Sequence, residues 1–327
     1  MRLEVWAAVA IVLSLSVYAL TGGADFGGGI WDLLAFGPRA GRQREVIARA
    51  LAPIWEADHV WLIAAIVLFF TAFPTAFAAV TVSLNIPLSL MLIGIVLRGS
   101  AFIFRSLIGP RSRLYRRWSL VFAVSSAITP VMLGITIGAI MSGKIRSAGE
   151  PDFVRSWLAP FPLAIGLFFL TLVAFLAAVY LTLETDEPDL RGDFRRRAWL
   201  ALGASAGLAG GCLYLAREGA PLIFENIRHA RWAVPLLVLT TALGAGSAAA
   251  LKKQLYWWAR LFAAATVGGV LLVWALSQYP YLVVPDFSLA NTAASTSVLR
   301  PMLAVFCIGL ALVTPAFLYL YAIFKRL

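Results

Sequence analysis

Glu56, Asp58 and His59 stand within four residues of one another in "APIWEADHVWLIAAIVLFF" (52–70), and an apolar run follows them directly. Ionisable groups in or beside a membrane span are costly, and they are functional candidates, commonly as proton relays. Imidazole titrates near neutral pH and a desolvated carboxyl drifts up toward it, so a Glu–Asp–His group can pass protons. Helical spacing puts Trp55 and His59 one turn apart with Glu56 on the same flank, and turns Asp58 and Trp61 to another side. Capping is the alternative: acids favour the positive end of a helix, and Trp collects at membrane interfaces. Capping accounts for Glu56, Trp55 and Trp61 but not for His59. On these residues alone both readings stay open.

Arg98 is the second candidate. It lies eleven residues past Pro87, which is about 16 Å of helix and so near the middle of a bilayer. A guanidinium keeps its proton and must find an anion, carbonyls or water. Arg105, two turns on, is expected near the membrane surface, snorkelling or paired with Asp58. The window "TGGADFGGGIWDLL" (21–34) carries five glycines and two acids, Asp25 and Asp32. Such glycine density argues against a regular helix and for close backbone approach, with a structural turn as the expectation. The P-loop lysine pattern is missing, so this is no nucleotide loop. Asp25 and Asp32 face either the membrane surface or the bundle.

The elements that position these groups follow from composition. The chain has 327 residues, 61% hydrophobic and 13% charged, with a net charge of +11. About a quarter of a soluble domain is charged, so this is a polytopic membrane protein. Nine apolar stretches are long enough to cross: 4–22, 54–80, 86–107, 118–142, 157–182, 198–216, 232–251, 258–278 and 301–324. Of the 27 basic residues, eighteen fall on or near one side of these spans, with Arg105 and Arg260 in the end turns on that side, eight fall on the other, and Arg98 lies deep within one. The positive-inside rule puts the N-terminus outside and the C-terminus in the cytoplasm, and assigns the charge to topology rather than to nucleic acid. The polar stretch 183–197 reads as a cytoplasmic linker between a motif-bearing half (1–182) and the remaining spans (198–327). Cys212 and Cys307 sit in apolar runs, so neither a disulfide framework nor a metal site is expected. The N-terminus reads as a retained first span rather than a signal peptide.

Taken in order, "GGADFGGG", a basic amphipathic segment, "APIWEADHVWL" and "TAFPTAF" resemble subunit II of the cytochrome bd terminal oxidases. That family carries D-G-F-D-L-G-x-G, then P-x-W-D-G-N-x-x-W-L and F-A-A-F-P. "RGSAFIFRS" (98–106) is similar to its R-x-x-x-F-E-F-R, and "YPYLVVPDFSLANTAASTSVLRPML" (279–303) to its F-P-Y-L-x-P…T-L-R-x-M-L. Gly22, Glu56, Ala57, Asp58 and Ile103 depart from the pattern, and His59 falls on a variable position, which marks a divergent member and leaves the electron donor open.

The resemblance implies two four-helix bundles plus one extra helix, packed as a pseudosymmetric heterodimer with a haem-bearing subunit I in the bacterial or archaeal cytoplasmic membrane. It implies haem b and haem d-type groups in that partner, none bound by this chain alone, and a structural quinone or lipid here. Small accessory subunits, and a quinol or another donor acting through the partner, belong to the same expectation. By position, Glu56 matches a proton-route acid, joined by Asp58 and His59, and Trp61 matches a tryptophan beside an oxygen entrance. Arg98, Arg105 and Asp25 match polar positions of a structural kind, with the Arg98 partner sought on this chain or the other subunit. His59 as ligand to a shared haem is the minor alternative. An ion- or proton-coupled transporter and a purely structural scaffold are the rival functions.

Overall fold

The computed structural model describes residues 2–51, 57–108, 112–147 and 152–325; Trp55 and Glu56 lie outside them. The chain is almost wholly helical: α1 (Leu3–Leu33), α2 (Ala40–Leu51), α3 (His59–Ala72), α4 (Pro74–Ser83), α5 (Asn85–Leu107), α6 (Arg113–Met141), α7 (Pro160–Leu181), α8 (Pro188–Gly219), α9 (Pro221–His229), α10 (Ala233–Lys252), α11 (Tyr256–Gln278), α12 (Leu289–Thr292) and α13 (Thr296–Lys325). A two-stranded antiparallel hairpin, β1 (Tyr281–Val283) and β2 (Phe287–Ser288), precedes α12. Among the described residues eight helices are long and apolar enough to cross a membrane, and the bent pair α3–α4 makes a ninth if counted as one span. The protein is therefore a multi-pass membrane protein.

The helices fall into two groups of four. One holds α1, α3–α4, α5 and α6, the other α7, α8, α10 and α11, and α13 lies against α1 and α3. Residues Leu172 to Val179 of α7 are buried without a break, the mark of a helix covered on every side. Both groups meet on it, because α7 packs on α1 and α6 as well as on α8 and α11.

Three sequence expectations change here. The glycine window is no turn; α1 runs unbroken through it to Leu33. Close approach is what the glycines supply. A Cβ on Gly27 would collide with the backbone carbonyl of Val173 and with Ala177, and one on Gly29 would collide with Ser126. The Trp31 Nε1–H group donates to the Ala174 carbonyl at 2.7 Å across the same seam. The second span, expected unbroken over 54–80, bends by 118° at Phe73. Pro74 has no N–H to continue α3 and suits the first turn of α4; the Ala72 carbonyl at the break accepts from the Ala294 N–H at 2.8 Å. Finally, 183–197 is irregular only as far as Glu187, and the rest forms the first turns of α8.

Polar fastenings close both ends. At the α2 end, Arg39 grips Asp193 with two hydrogen bonds of 2.7 and 2.8 Å, Gln43 donates to Asp193, and Arg197 donates to Gln43 and the Leu34 carbonyl. At the hairpin end, Asp286 accepts from the Ser147 N–H and hydroxyl and pairs with Arg146 at 3.2 Å.

Two predictions follow from this packing. Gly27→Ala should destabilise the fold by about 1–3 kcal/mol, since a backbone carbonyl cannot swing aside, whereas Gly203→Ala, where a Cβ meets open space, should be tolerated; thermal denaturation in detergent compares them. The Ser147 backbone N–H, above all, holds the Asp286 carboxyl below the usual carboxylate range. Its contribution is therefore complete above the unfolded carboxylate value and lost as pH falls through the lower folded one. Hydrogen exchange in the hairpin should rise below about pH 4, and already at neutral pH in Asp286→Ala.

Candidate functional site

Two matched spacings build the site. Asp25 and Asp32 are seven residues apart on α1, and Arg98 and Arg105 are seven apart on α5. Seven residues make nearly two helical turns, so each pair shares a face about 10 Å apart along its axis. The structure joins them rung to rung. Arg98 Nη2 meets Asp25 Oδ1 at 2.5 Å and Arg105 Nη1 meets Asp32 Oδ2 at 2.8 Å, with all four side chains buried. Phe122 of α6 lies between the rungs, its centroid 5.3 Å from the Arg98 guanidinium carbon and 4.5 Å from that of Arg105. Phe26 adds a second face to Arg98 at 5.0 Å. Both guanidinium groups thus gain a carboxylate and the negative faces of rings.

One partner differs from that expected: Arg105 pairs with Asp32, not with Asp58. Arg98, whose partner was open between this chain and the other subunit, finds its anion within this chain. Both acids of α1 face the bundle. Arg44 of α2 reaches the carbonyls of Asp32 and Ala35 at 3.3 and 2.9 Å, so the inner rung connects to the end of the helix.

Asp58 and His59 join the outer rung. Asp58 occupies the N-cap position of α3 yet makes no side-chain capping bond, and it is fully buried. The His59 ring meets Tyr18 and Phe26 edge to face, with centroids 5.9 and 6.4 Å away. His59, Tyr18, Phe26, Arg98 and Asp25 therefore form one continuous cluster. Trp61, in the first turn of α3, is buried against Phe317 of α13 at 5.8 Å between centroids. Glu56 lies outside the described residues, so its place in the cluster rests on sequence alone. Sequence reasoning missed Tyr18, an ordinary aromatic in an apolar run, and the Asp32–Arg105 rung. The equal seven-residue spacings were the signal that could have found that rung.

Tyr18 also lines a cleft of about 410 Å³ between α1, α3, α4, α5, α6 and α11. Its walls are aliphatic and aromatic, including Leu62, Phe69, Met91 and Leu133, with Gln278 at the hairpin end. The Gln278 amide is spent on Trp274 and the Leu282 carbonyl. The cleft suits a non-polar molecule or chain. It does not suit a haem: no histidine lines it, His59 is packed among rings, and His229 is exposed on α9 and bound to Glu225 at 2.9 Å. Among the described residues no His, Cys, Asp and Glu gather as a metal site.

Breaking the outer rung should cost more than deleting it. Arg98→Leu leaves Asp25 charged and buried, a loss of about 3–5 kcal/mol, while Arg98→Leu with Asp25→Leu removes both charges and should recover most of it. Complex yield and melting temperature, compared across the two variants and Asp25→Leu, measure the difference.

The comparisons with known proteins agree with this architecture. The family described as cytochrome bd terminal oxidase subunit II matches residues 3–324. The chain is 24% identical over 311 residues to the cytochrome bd-I ubiquinol oxidase subunit 2 of Escherichia coli, covering 84% of this chain and 80% of that one. It is 21% identical over 324 residues to the putative cytochrome bd menaquinol oxidase subunit II of Bacillus subtilis, covering 95% and 92%. Its fold superposes on a chain of the bd oxidase structure from Geobacillus thermodenitrificans with a TM-score of 0.80, 25% identity and 99% of both chains covered. A match this long, over a helix order and a motif set that agree with it, makes the chain a member of the cytochrome bd terminal oxidase subunit II family.

Proposed function

We propose that this chain is the haem-free subunit II of a bd-type terminal oxidase of the inner membrane, which reduces dioxygen to water. It would support a haem-bearing subunit I, home of the haem b and haem d-type groups, in a pseudosymmetric heterodimer, with lipid and small accessory subunits around it. The N-terminus would lie outside and the C-terminus in the cytoplasm, as the basic residues require. Relatives are named for both ubiquinol and menaquinol, so the donor delivered through the partner is a quinol or another reductant.

One observation carries the reading: the buried Asp58 beside the half-buried His59 at the start of α3, within a chain of this family. Reduction of one dioxygen consumes four protons with four electrons. In the proposed orientation α3 begins at the cytoplasmic face, so Asp58 and His59, with Glu56 just before them in sequence, would serve where protons enter. Asp58 stands at the N-cap position of α3 without a side-chain capping bond, which supports a role beyond capping. The apolar cleft suits dioxygen, a quinone tail or an acyl chain, and Trp61 lies one helical residue from its wall at Leu62. A coupled transporter would repeat a broken helix in its second half; among the described residues only α3–α4 is broken.

Glu56→Gln with Asp58→Asn should lower oxygen consumption on the order of tenfold or more, at unchanged haem content, with the loss deepening from about pH 6 to about pH 9 as protons become scarce. Glu56→Asp should retain most activity. Rates per haem that match the wild type across that range in the double variant would refute the proton route.

A further inference from the structure

The turn that joins α10 to α11 gathers positive charge. Between Glu225 and Asp286 the sequence holds no acid, and Lys252, Lys253 and Arg260 all fall at this turn. Both helices are long and apolar enough to cross a membrane, so the turn stands at a membrane surface. It is tight: α10 ends at Lys252, Gln254 takes a positive φ of 59°, and α11 starts at Tyr256. Lys252 and Lys253 are exposed, whereas Arg260 is half-buried one turn into α11. Its guanidinium carbon lies 4.7 Å from the centre of the Tyr180 ring and 5.7 Å from that of Trp257. Rings engage the flat face of a guanidinium and leave its N–H edge for an anion. α8 begins beside the turn, because Arg191 lies over the Tyr256 ring at 5.1 Å. The arginines on that side have acids of their own: Arg39, Arg42 and Arg191 hold Asp193, Glu187 and Asp186 at 2.7, 2.6 and 2.9 Å, and Asp189 acts on Arg39 as well. Glu184, four residues past Tyr180, has contacts of its own, and counting it against the three cations still leaves the turn positive.

The surface beside these cations is apolar and aromatic. Leu255, Trp257 and Trp258 are 50%, 51% and 54% exposed, and tryptophan favours the boundary between headgroups and acyl chains. Leu255 at the N-cap of α11 gives no side-chain bond, and the first turn of that helix holds no acid to complement its positive end. We propose that Lys252, Lys253 and Arg260 bind the phosphodiester headgroup of an anionic phospholipid, with Leu255, Trp257 and Trp258 against its glycerol and first methylenes. Arg260 supplies a planar pair of donors to two phosphate oxygens, and the lysines supply point charges. A zwitterionic lipid would bring an ammonium into a cluster of three cations, which disfavours it. A free phosphate ion would leave the aromatic side uncovered. None of these residues lines the apolar cleft, and the site depends on neither the proton route nor the electron donor.

The test is native mass spectrometry of the two-subunit complex, delipidated in detergent and titrated with phosphatidylglycerol or with phosphatidylcholine. Wild type is compared with Lys252→Gln plus Lys253→Gln, with Arg260→Gln, and with Arg228→Gln plus Arg231→Gln as a control at the other end of α10. The tightest phosphatidylglycerol binding should weaken on the order of tenfold in each of the two site variants and stay unchanged in the control. Phosphatidylcholine should bind the wild type more weakly by a similar factor. Arg260→Lys, which keeps the charge but loses the planar fork, should recover part of the affinity. Equal phosphatidylglycerol binding in wild type and site variants overturns the proposal. An equal loss in the control, or equal affinity for phosphatidylcholine, overturns it too. Inorganic phosphate separates the two sources of the anion. Millimolar phosphate that displaces the lipid reveals a free-anion site and overturns the lipid assignment, while phosphate that leaves the lipid in place upholds it. Should Arg260→Gln fail to assemble, the exposed lysine pair decides alone.

Discussion

An arginine in the middle of a membrane protein sets the terms for everything packed around it. Arg98 stays charged at any pH the cell reaches, so its anion must come to it through an apolar bundle. The anion is Asp25 on α1, and the approach leaves little slack, because charge pairing in a dry interior offsets desolvation only with good geometry. From this one demand several features follow. The same face of α1 that carries Asp25 carries Asp32 two turns on, and α5 answers with Arg105. Phe122 fills the gap between the rungs. Glycines then let α1 sink against α7 and α6, to the point where Val173 and Ser126 touch backbone. The ladder ties α1 to α5 although α7, α3 and α6, rather than α5, are the main packing partners of α1.

The break at Phe73 belongs to the same logic. A straight second span would carry its start and end on one axis. With α3 only 14 residues long, its first turn can tuck Asp58 beneath Gly22 while α4 turns away to wall the cleft. The unsatisfied carbonyl at the break is answered from the segment before α13, and so the last helix of the chain helps to fix where the second begins. Trp61 on Phe317 repeats that coupling nearer the charged cluster.

Much of this was legible in the residues. Spans, their number and the odd position of Arg98 come from hydropathy and from the cost of charge in lipid, both nearly independent of tertiary detail. Asp58 and His59 could be singled out for the same reason. Partner choice was not legible, because linear spacing does not say which acid Arg105 meets, and only the tertiary packing that brings Asp32 to it decides. The glycine window misled for a physical reason. Helix propensity counts Gly as a breaker in water, but a buried membrane helix has no alternative partner for its N–H and C=O groups and stays helical. What glycine then contributes is the absence of a side chain. Tyr18 carried no signal at all, since its role depends on what stands across from it.

Tyr18 shows how one side chain can divide two unlike environments. The apolar cleft suits molecules without charge, and the cluster of Asp25, Asp58, His59 and Arg98 behind it is ionisable. A phenol ring presents hydrocarbon to one side and a polar tip to the other. At this position its ring lines the cleft, while its edge meets His59 and closes over Gly22. A smaller residue would open the cluster to the cleft, and a charged one would add a further charge beside Arg98, Asp25 and Asp58. The wall is thus fixed from both sides: by the volume it must fill against Gly22, and by the charge it must not carry.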